Sequence, residues 1–83
     1  MFIKHFYATA KARKHIIDKH GVNLYEVEEV LAGDPTFWRI ADVDGERRYR
    51  LIGQSAAGRR LKVYVARESD DTMRLITAYE VRR

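Results

Sequence analysis

Not one cysteine occurs in the chain, which rules out disulfide staples, thiolate metal ligands and a cysteine nucleophile and fits a reducing, cytoplasmic setting. No apolar run approaches the roughly 18–20 residues of a membrane span, and Met1 to Tyr7 mix apolar with basic groups instead of forming a signal sequence, so neither membrane nor export is expected. Proline occurs once and glycine five times. With no repeat, low-complexity tract or Pro/Gly-rich linker, residues 1–83 are expected to form one domain. HExxH, a phosphate-cradling glycine loop, a serine-triad motif and a nucleotide-cofactor fingerprint are all missing, so the expectation is no metal and no cofactor. A chain of 83 residues buries only roughly 60–65% of its unfolded surface. A partner or a second copy, as in a homo-oligomer, would add stability.

What the sequence does have is basic charge. Sixteen Lys and Arg stand against twelve Asp and Glu, a formal charge of +4, which favours acidic or polyanionic partners. Acids gather between Glu26 and Asp34 and again at Asp42, Asp44, Glu46, Glu68, Asp70 and Asp71. Arginines concentrate between Arg47 and Arg60 and at Arg82 and Arg83.

Hydrophobic spacing divides the chain in two. From Thr9 to His20, Ala10, Ala12, Ile16 and Ile17 recur among Lys and Arg and Gly21 follows, predicting a helix of about three turns. Asn23 and Glu26 form a capping-box-like pair ahead of Val27, Val30 and Leu31, predicting a second helix to about Ala32. Gly33-Asp34-Pro35 ends it, with Gly33 expected to take a left-handed cap. Beyond Pro35 the period becomes two. Strands are expected at Phe37–Val43, Arg47–Gln54, Arg60–Arg67 and Met73–Glu80, antiparallel in sequence order, with Asp44-Gly45 as a hairpin turn and a further strand within Met1–Phe6.

Alternation then sorts the faces. Leu61, Val63, Val65, Tyr49, Leu51, Leu75 and Thr77 are expected inward, and Tyr79 falls in phase with that last pair. Arg48, Arg50, Lys62, Tyr64, Arg74, Ile76 and Ala78 face outward. Two helices can cover only one face of such a sheet. The other presents cations with an aromatic among them, which suits a single-stranded nucleic acid; a plain solvated face is the competing reading.

Several ordered segments carry a family resemblance. Lys19-His20-Gly21-Val22, Glu26-Val27-Glu28-Glu29-Val30-Leu31 and Asp34-Pro35, then Glu46-Arg47-Arg48-Tyr49, Ile52-Gly53, Gly58-Arg59 and Arg74-Leu75-Ile76-Thr77-Ala78, together resemble the BrnT-type toxins of bacterial type II toxin–antitoxin pairs, a branch of the RelE superfamily. The resemblance implies an α+β, RelE-like fold with two helices on one face of a curved antiparallel sheet of about four strands. It also implies metal-independent cleavage of RNA by 2′-hydroxyl attack, and neutralisation by a cognate antitoxin. The chain departs from the family pattern in having Tyr79 where an arginine is usual and in ending at Arg83. The alternative is a non-catalytic basic module of the same fold that docks an acidic partner or nucleic acid through its open face.

Cleavage of RNA by its own 2′-hydroxyl needs a base, a cation at the pentavalent phosphate and an acid for the leaving oxygen. Arg48, matched to the family's arginine and outward by alternation, is the first choice for the cation, with Arg74 next; an ion pair with Glu46 is the plain alternative. His20 could move the proton or simply cap its helix. Arg50, Arg59, Lys62, Tyr64 and Lys19 are the expected RNA contacts. Tyr79 and Trp38 are left between core and partner-facing roles.

Overall fold

Each helix begins and ends where its cap residues dictate. The computed structural model describes residues 4–81. Helix α1 (Ala10–His20) starts at Thr9, whose Oγ1 accepts a 3.1 Å hydrogen bond from the Ala12 N–H, satisfying one of the free donors of the first turn. It stops at Gly21, whose φ of 63° is left-handed. Gly21 N–H donates to the Ile17 carbonyl at 3.0 Å and Val22 N–H to that of Ile16 at 2.9 Å, a closure that turns Val22 into the core. Helix α2 (Leu24–Ala32) follows with the Asn23 N–H donating to Glu26 Oε1 at 3.1 Å. Its end differs from expectation. Gly33 has φ −92°, and Asp34 takes the left-handed turn at φ 61°, a conformation that aspartate enters more readily than most residues.

The sheet comprises β1 (His5–Tyr7), β2 (Thr36–Val43), β3 (Glu46–Gln54), β4 (Arg60–Arg67) and β5 (Thr72–Glu80), in the order β1-β5-β4-β3-β2. β2 to β5 form an antiparallel meander. β1 lies parallel to β5, with His5 opposite Thr72 and Tyr7 opposite Arg74. The expected sheet of about four antiparallel strands is therefore corrected to five with one parallel pair; a three-residue strand is too short to carry an alternation signal. Of the Met1–Phe6 expectation, residues 1–3 lie outside the described residues, as do Arg82 and Arg83. Asp44 and Gly45, at φ 51° and 81°, join Val43 and Glu46 across the β2–β3 hairpin with the two positive φ values that a tight hairpin turn needs.

Both helices pack on one face, α1 against β5 and α2 against β3 and β4. Beneath them Ile16, Val27, Val30, Leu51, Leu61, Val63 and Val65 are fully buried, with Tyr49 nearly so. Gly53 lets α2 approach: a Cβ there would come within 3.0 Å of Val30 Cγ1 and 3.2 Å of Pro35 Cβ. No helix of the described residues is long and apolar enough to cross a membrane.

Two face assignments in β5 are overturned. Val65 pairs with Leu75 but Tyr64 pairs with Thr77, so Ile76 is an extra residue in a β-bulge. Beyond it the alternation reverses. Ala78, expected outward, is fully buried, while Thr77, expected inward, sits on the uncovered face together with Tyr79, whose role alternation left open.

Candidate nucleic-acid interface on the open sheet face

Directly opposed residues of antiparallel strands share a face, so the register lays out the uncovered surface as rows running across the sheet. One row is Ala41, Arg48, Ala66 and Arg74; the next is Trp38, Arg50, Tyr64 and Thr77; the third is Thr36, Ile52, Lys62 and Tyr79. The cations in these rows are not equivalent.

Arg74 is held by carboxylates. Its Nη1 donates to Glu46 Oε2 at 3.2 Å and Glu68 Oε2 at 2.9 Å, and its Nη2 to Glu46 Oε1 at 3.0 Å. The Tyr7 hydroxyl donates to Glu68 Oε1 at 2.7 Å and so ties β1 into the same network. Arg48 shares Glu46 more loosely, with Nη2 3.6 Å from Oε1, beyond hydrogen-bond reach. Arg50 and Lys62 have no carboxylate partner among the described residues. Arg50 instead lies over Trp38, its Cζ 5.0 Å from the ring centroid.

Between Arg50 and Lys62 stands Tyr64. Its ring stacks on Tyr79 with centroids 6.0 Å apart and planes at 25°, and the two hydroxyl oxygens are 3.3 Å apart. The hydrogen bond with Tyr79, aided by the Arg50 and Lys62 cations and opposed by burial, brings the Tyr64 phenol below the usual range. Tyr79 is pushed up by the same hydrogen bond and by burial. His20 adjoins Tyr79 at 5.6 Å between centroids, and His15 adjoins His20 at 5.2 Å. Lys19, His20, Tyr79 and Glu80 line an open cleft of about 370 Å³. The C-terminus of α1 thus meets the open face at the far end of β5. Arg48 Nε, Arg50 Nε and Thr77 Oγ1 are buried atoms without a hydrogen-bond partner among the described residues. All three belong to this face.

The expected site residues therefore divide. Arg50, Lys62 and Tyr64 come together, and Tyr79 carries the cluster on to Lys19 and His20. Arg48 and Arg74 lie at the other end, with Arg48 two rows along and two strands across from Tyr79, roughly 13 Å and 10 Å at backbone spacing. Arg59 is elsewhere. Its Nη1 donates to the Gly21 carbonyl at 3.0 Å and to Glu26 Oε1 and Oε2 at 3.0 and 3.1 Å, and its Nε lies 3.2 Å from Glu80 Oε1. This residue joins both helices to β5. Sequence reasoning leaves Tyr79 undecided because a bulge is invisible to strict alternation. The one hint is the adjacent apolar pair Leu75-Ile76, which breaks the pattern of that strand.

Glu26 depends on Arg59. Burial pushes its carboxyl up, but the Asn23 backbone N–H and the Arg59 guanidinium outweigh that and hold it below the usual range. A carboxyl lowered in the folded state stabilises the fold above its unfolded pKa, and that contribution is lost as pH falls through the lower folded value. Arg59→Ala would leave Glu26, only 7% exposed, without its counter-charge. The expected loss is about 2–3 kcal/mol, or roughly 10–20 °C in Tm for a chain this small, with a weaker acid-induced drop than the parent because Glu26 no longer titrates low. Thermal melts at neutral pH and near pH 3 check both.

A family described as the ribonuclease toxin BrnT of type II toxin–antitoxin systems matches residues 7–83. The fold is similar to that of the crystal structure of the Brucella abortus ribonuclease toxin BrnT, with a TM-score of 0.70 and 17% sequence identity, over 96% of this chain and all of that one. No curated protein matches by sequence.

Proposed function

The chain belongs to the BrnT family of ribonuclease toxins of type II toxin–antitoxin systems, and from that premise we propose that it cleaves RNA without a metal, by 2′-hydroxyl attack, at the Arg50–Tyr64–Tyr79 end of the open sheet face. Family membership supplies RNA as substrate and a cognate antitoxin as partner. The observation that carries the location is Tyr64, an acidified phenol flanked by two cations that no carboxylate among the described residues neutralises.

In this reading Arg50 and Lys62 bind the non-bridging oxygens of the scissile phosphate. Their charge counts for most when the phosphorane gathers negative charge. The 2′-hydroxyl loses its proton to His20, across the cleft beside Tyr79, and its oxygen forms the new bond to phosphorus. Tyr64 donates a proton to the 5′-oxygen as its bond to phosphorus breaks, and the hydrogen bond from Tyr79 supports the phenolate left behind. The products are a 2′,3′-cyclic phosphate and a 5′-hydroxyl. Arg48 serves as a phosphate contact one row away. Arg74 holds Glu46 and Glu68 in place, and Arg59 acts in folding.

The test is purified protein incubated with RNA in excess EDTA, beside a culture in which the protein is induced with and without its antitoxin. Discrete EDTA-resistant cleavage with cyclic-phosphate ends, and growth arrest relieved by the antitoxin, are expected. Cleavage that EDTA abolishes would overturn the metal-free chemistry, and RNA binding without cleavage in any buffer would leave a binding module. Binding to a non-cleavable RNA should also weaken with salt, with a slope of about −2 in log K against log salt for three phosphate contacts. A flat salt response would remove the phosphate contacts from the account.

A further inference from the structure

Trp38 is the only tryptophan of the chain, and it stands on edge strand β2 with 41% of its surface exposed. It is not part of the core, and its register puts it on the open face opposite Arg50. The same row continues through Tyr64 to Thr77. Across the sheet the row therefore reads aromatic, cation, aromatic, hydroxyl. The Arg50 guanidinium covers part of the indole at 5.0 Å, while its buried Nε has no hydrogen-bond partner among the described residues.

On this pattern we infer that Trp38 is a nucleobase-stacking residue, which with Tyr64 grips two bases on either side of the phosphate bound by Arg50 and restricts the substrate to single-stranded RNA. The inference rests on the ribonuclease reading and adds the substrate class and a specificity-determining residue. Spacing carries it. Adjacent strands lie about 4.8 Å apart, so Trp38 and Tyr64, two strands apart, are separated by about 10 Å. Arg50 stands in that gap, between Trp38 and Tyr64 in the register, with its guanidinium over the indole. Bases seated on the two rings are therefore separated by this cation and cannot be stacked on each other, and a paired duplex cannot supply them without opening. The charge of the row selects a polyanion, and the outer edge of β2 leaves the indole open to a base from the side. Every base offers a π-face, so the grip selects strandedness before sequence.

The indole is also the reporter. A single-stranded deoxyoligonucleotide, which lacks the 2′-hydroxyl nucleophile, should quench the Trp38 emission on binding, and a duplex of the same sequence at equal phosphate concentration should not. Trp38→Ala is expected to weaken single-strand binding by about tenfold to a hundredfold, from the 1–3 kcal/mol typical of one base–aromatic stack. It should raise KM more than it lowers kcat, leave Tm nearly unchanged, and be largely rescued in Trp38→Phe. Unchanged affinity in Trp38→Ala, or equal quenching by duplex, overturns the inference while RNA cleavage by the parent leaves the ribonuclease reading standing. Unchanged RNA affinity with weakened antitoxin binding likewise overturns it and makes Trp38 a protein contact. A parent that neither binds nor cleaves RNA removes both readings together.

Discussion

Arg50→Ala lowers the single-turnover rate of RNA cleavage by about 10²–10³, equivalent to about 2.7–4 kcal/mol, if its guanidinium is a preorganised stabiliser of the phosphorane. So large an effect is expected because Arg50 has no carboxylate competitor among the described residues. Arg74 is gripped by Glu46 and Glu68 and Arg48 lies near Glu46, so their charge is partly neutralised, whereas Arg50 meets the face of Trp38 and the Tyr64 phenol. The effect on folding should be smaller, since the substitution removes a half-buried cation–π pair with Trp38 worth about 1–2 kcal/mol. Arg50→Lys should recover part of the rate, because it restores charge without the planar fork that binds two oxygens. Rapid-quench cleavage and thermal melts on the three proteins separate chemistry from stability. A parental rate in Arg50→Ala would place the reacting phosphate elsewhere on the face.

Tyr64→Phe should cost about 10²–10⁴ in rate, the range for loss of a positioned acid, and should change the shape of the pH profile. The phenol is acidified by the hydrogen bond with Tyr79 and by the Arg50 and Lys62 cations, which makes it a better proton donor to the leaving oxygen. Its protonated form is the working one, so the parental rate falls as pH rises through a Tyr64 pKa that lies below the usual phenol range. In Tyr64→Phe that alkaline fall disappears and a slower, flatter profile remains. Tyr79→Phe keeps the donor but loses the hydrogen bond that acidifies it, so the alkaline fall should move to higher pH with a smaller loss of rate. An unchanged alkaline limb in both variants would show that neither phenol handles the proton.

Much of the architecture is legible in the order of residues alone. Thr9, Gly21 and Asn23 mark helix ends by local chemistry, Asp44-Gly45 marks a hairpin, and Leu61, Val63 and Val65 mark a buried face by period alone. These features depend on neighbours within a few residues, and such information lies in the order of the chain. β1 declares itself only as a strand near the N-terminus, without its partner or direction. It is held by pairing with Thr72–Arg74, far away in sequence, and by the hydrogen bond of Tyr7 with Glu68.

The site is half legible for the same reason. That Arg48, Arg50, Lys62, Tyr64 and Arg74 share the uncovered face follows from alternation, and the ribonuclease-toxin family is readable in short ordered motifs. Which of these cations is free depends on where Glu46 and Glu68 fold back, a matter of cross-strand register. The bulge at Ile76 turns Tyr79 onto the open face, and it is visible only in the register of β5 against β4. Arg59 reads in the sequence as a loop charge, yet the fold surrounds it with Glu26, Glu80 and the Gly21 carbonyl. Sequence by itself determined the elements, the buried face and the family, because those rest on local propensity and periodic hydrophobicity. The tertiary structure alone decided which charges are neutralised and which rings meet, because electrostatic pairing and stacking act between residues that only folding brings within a few ångströms.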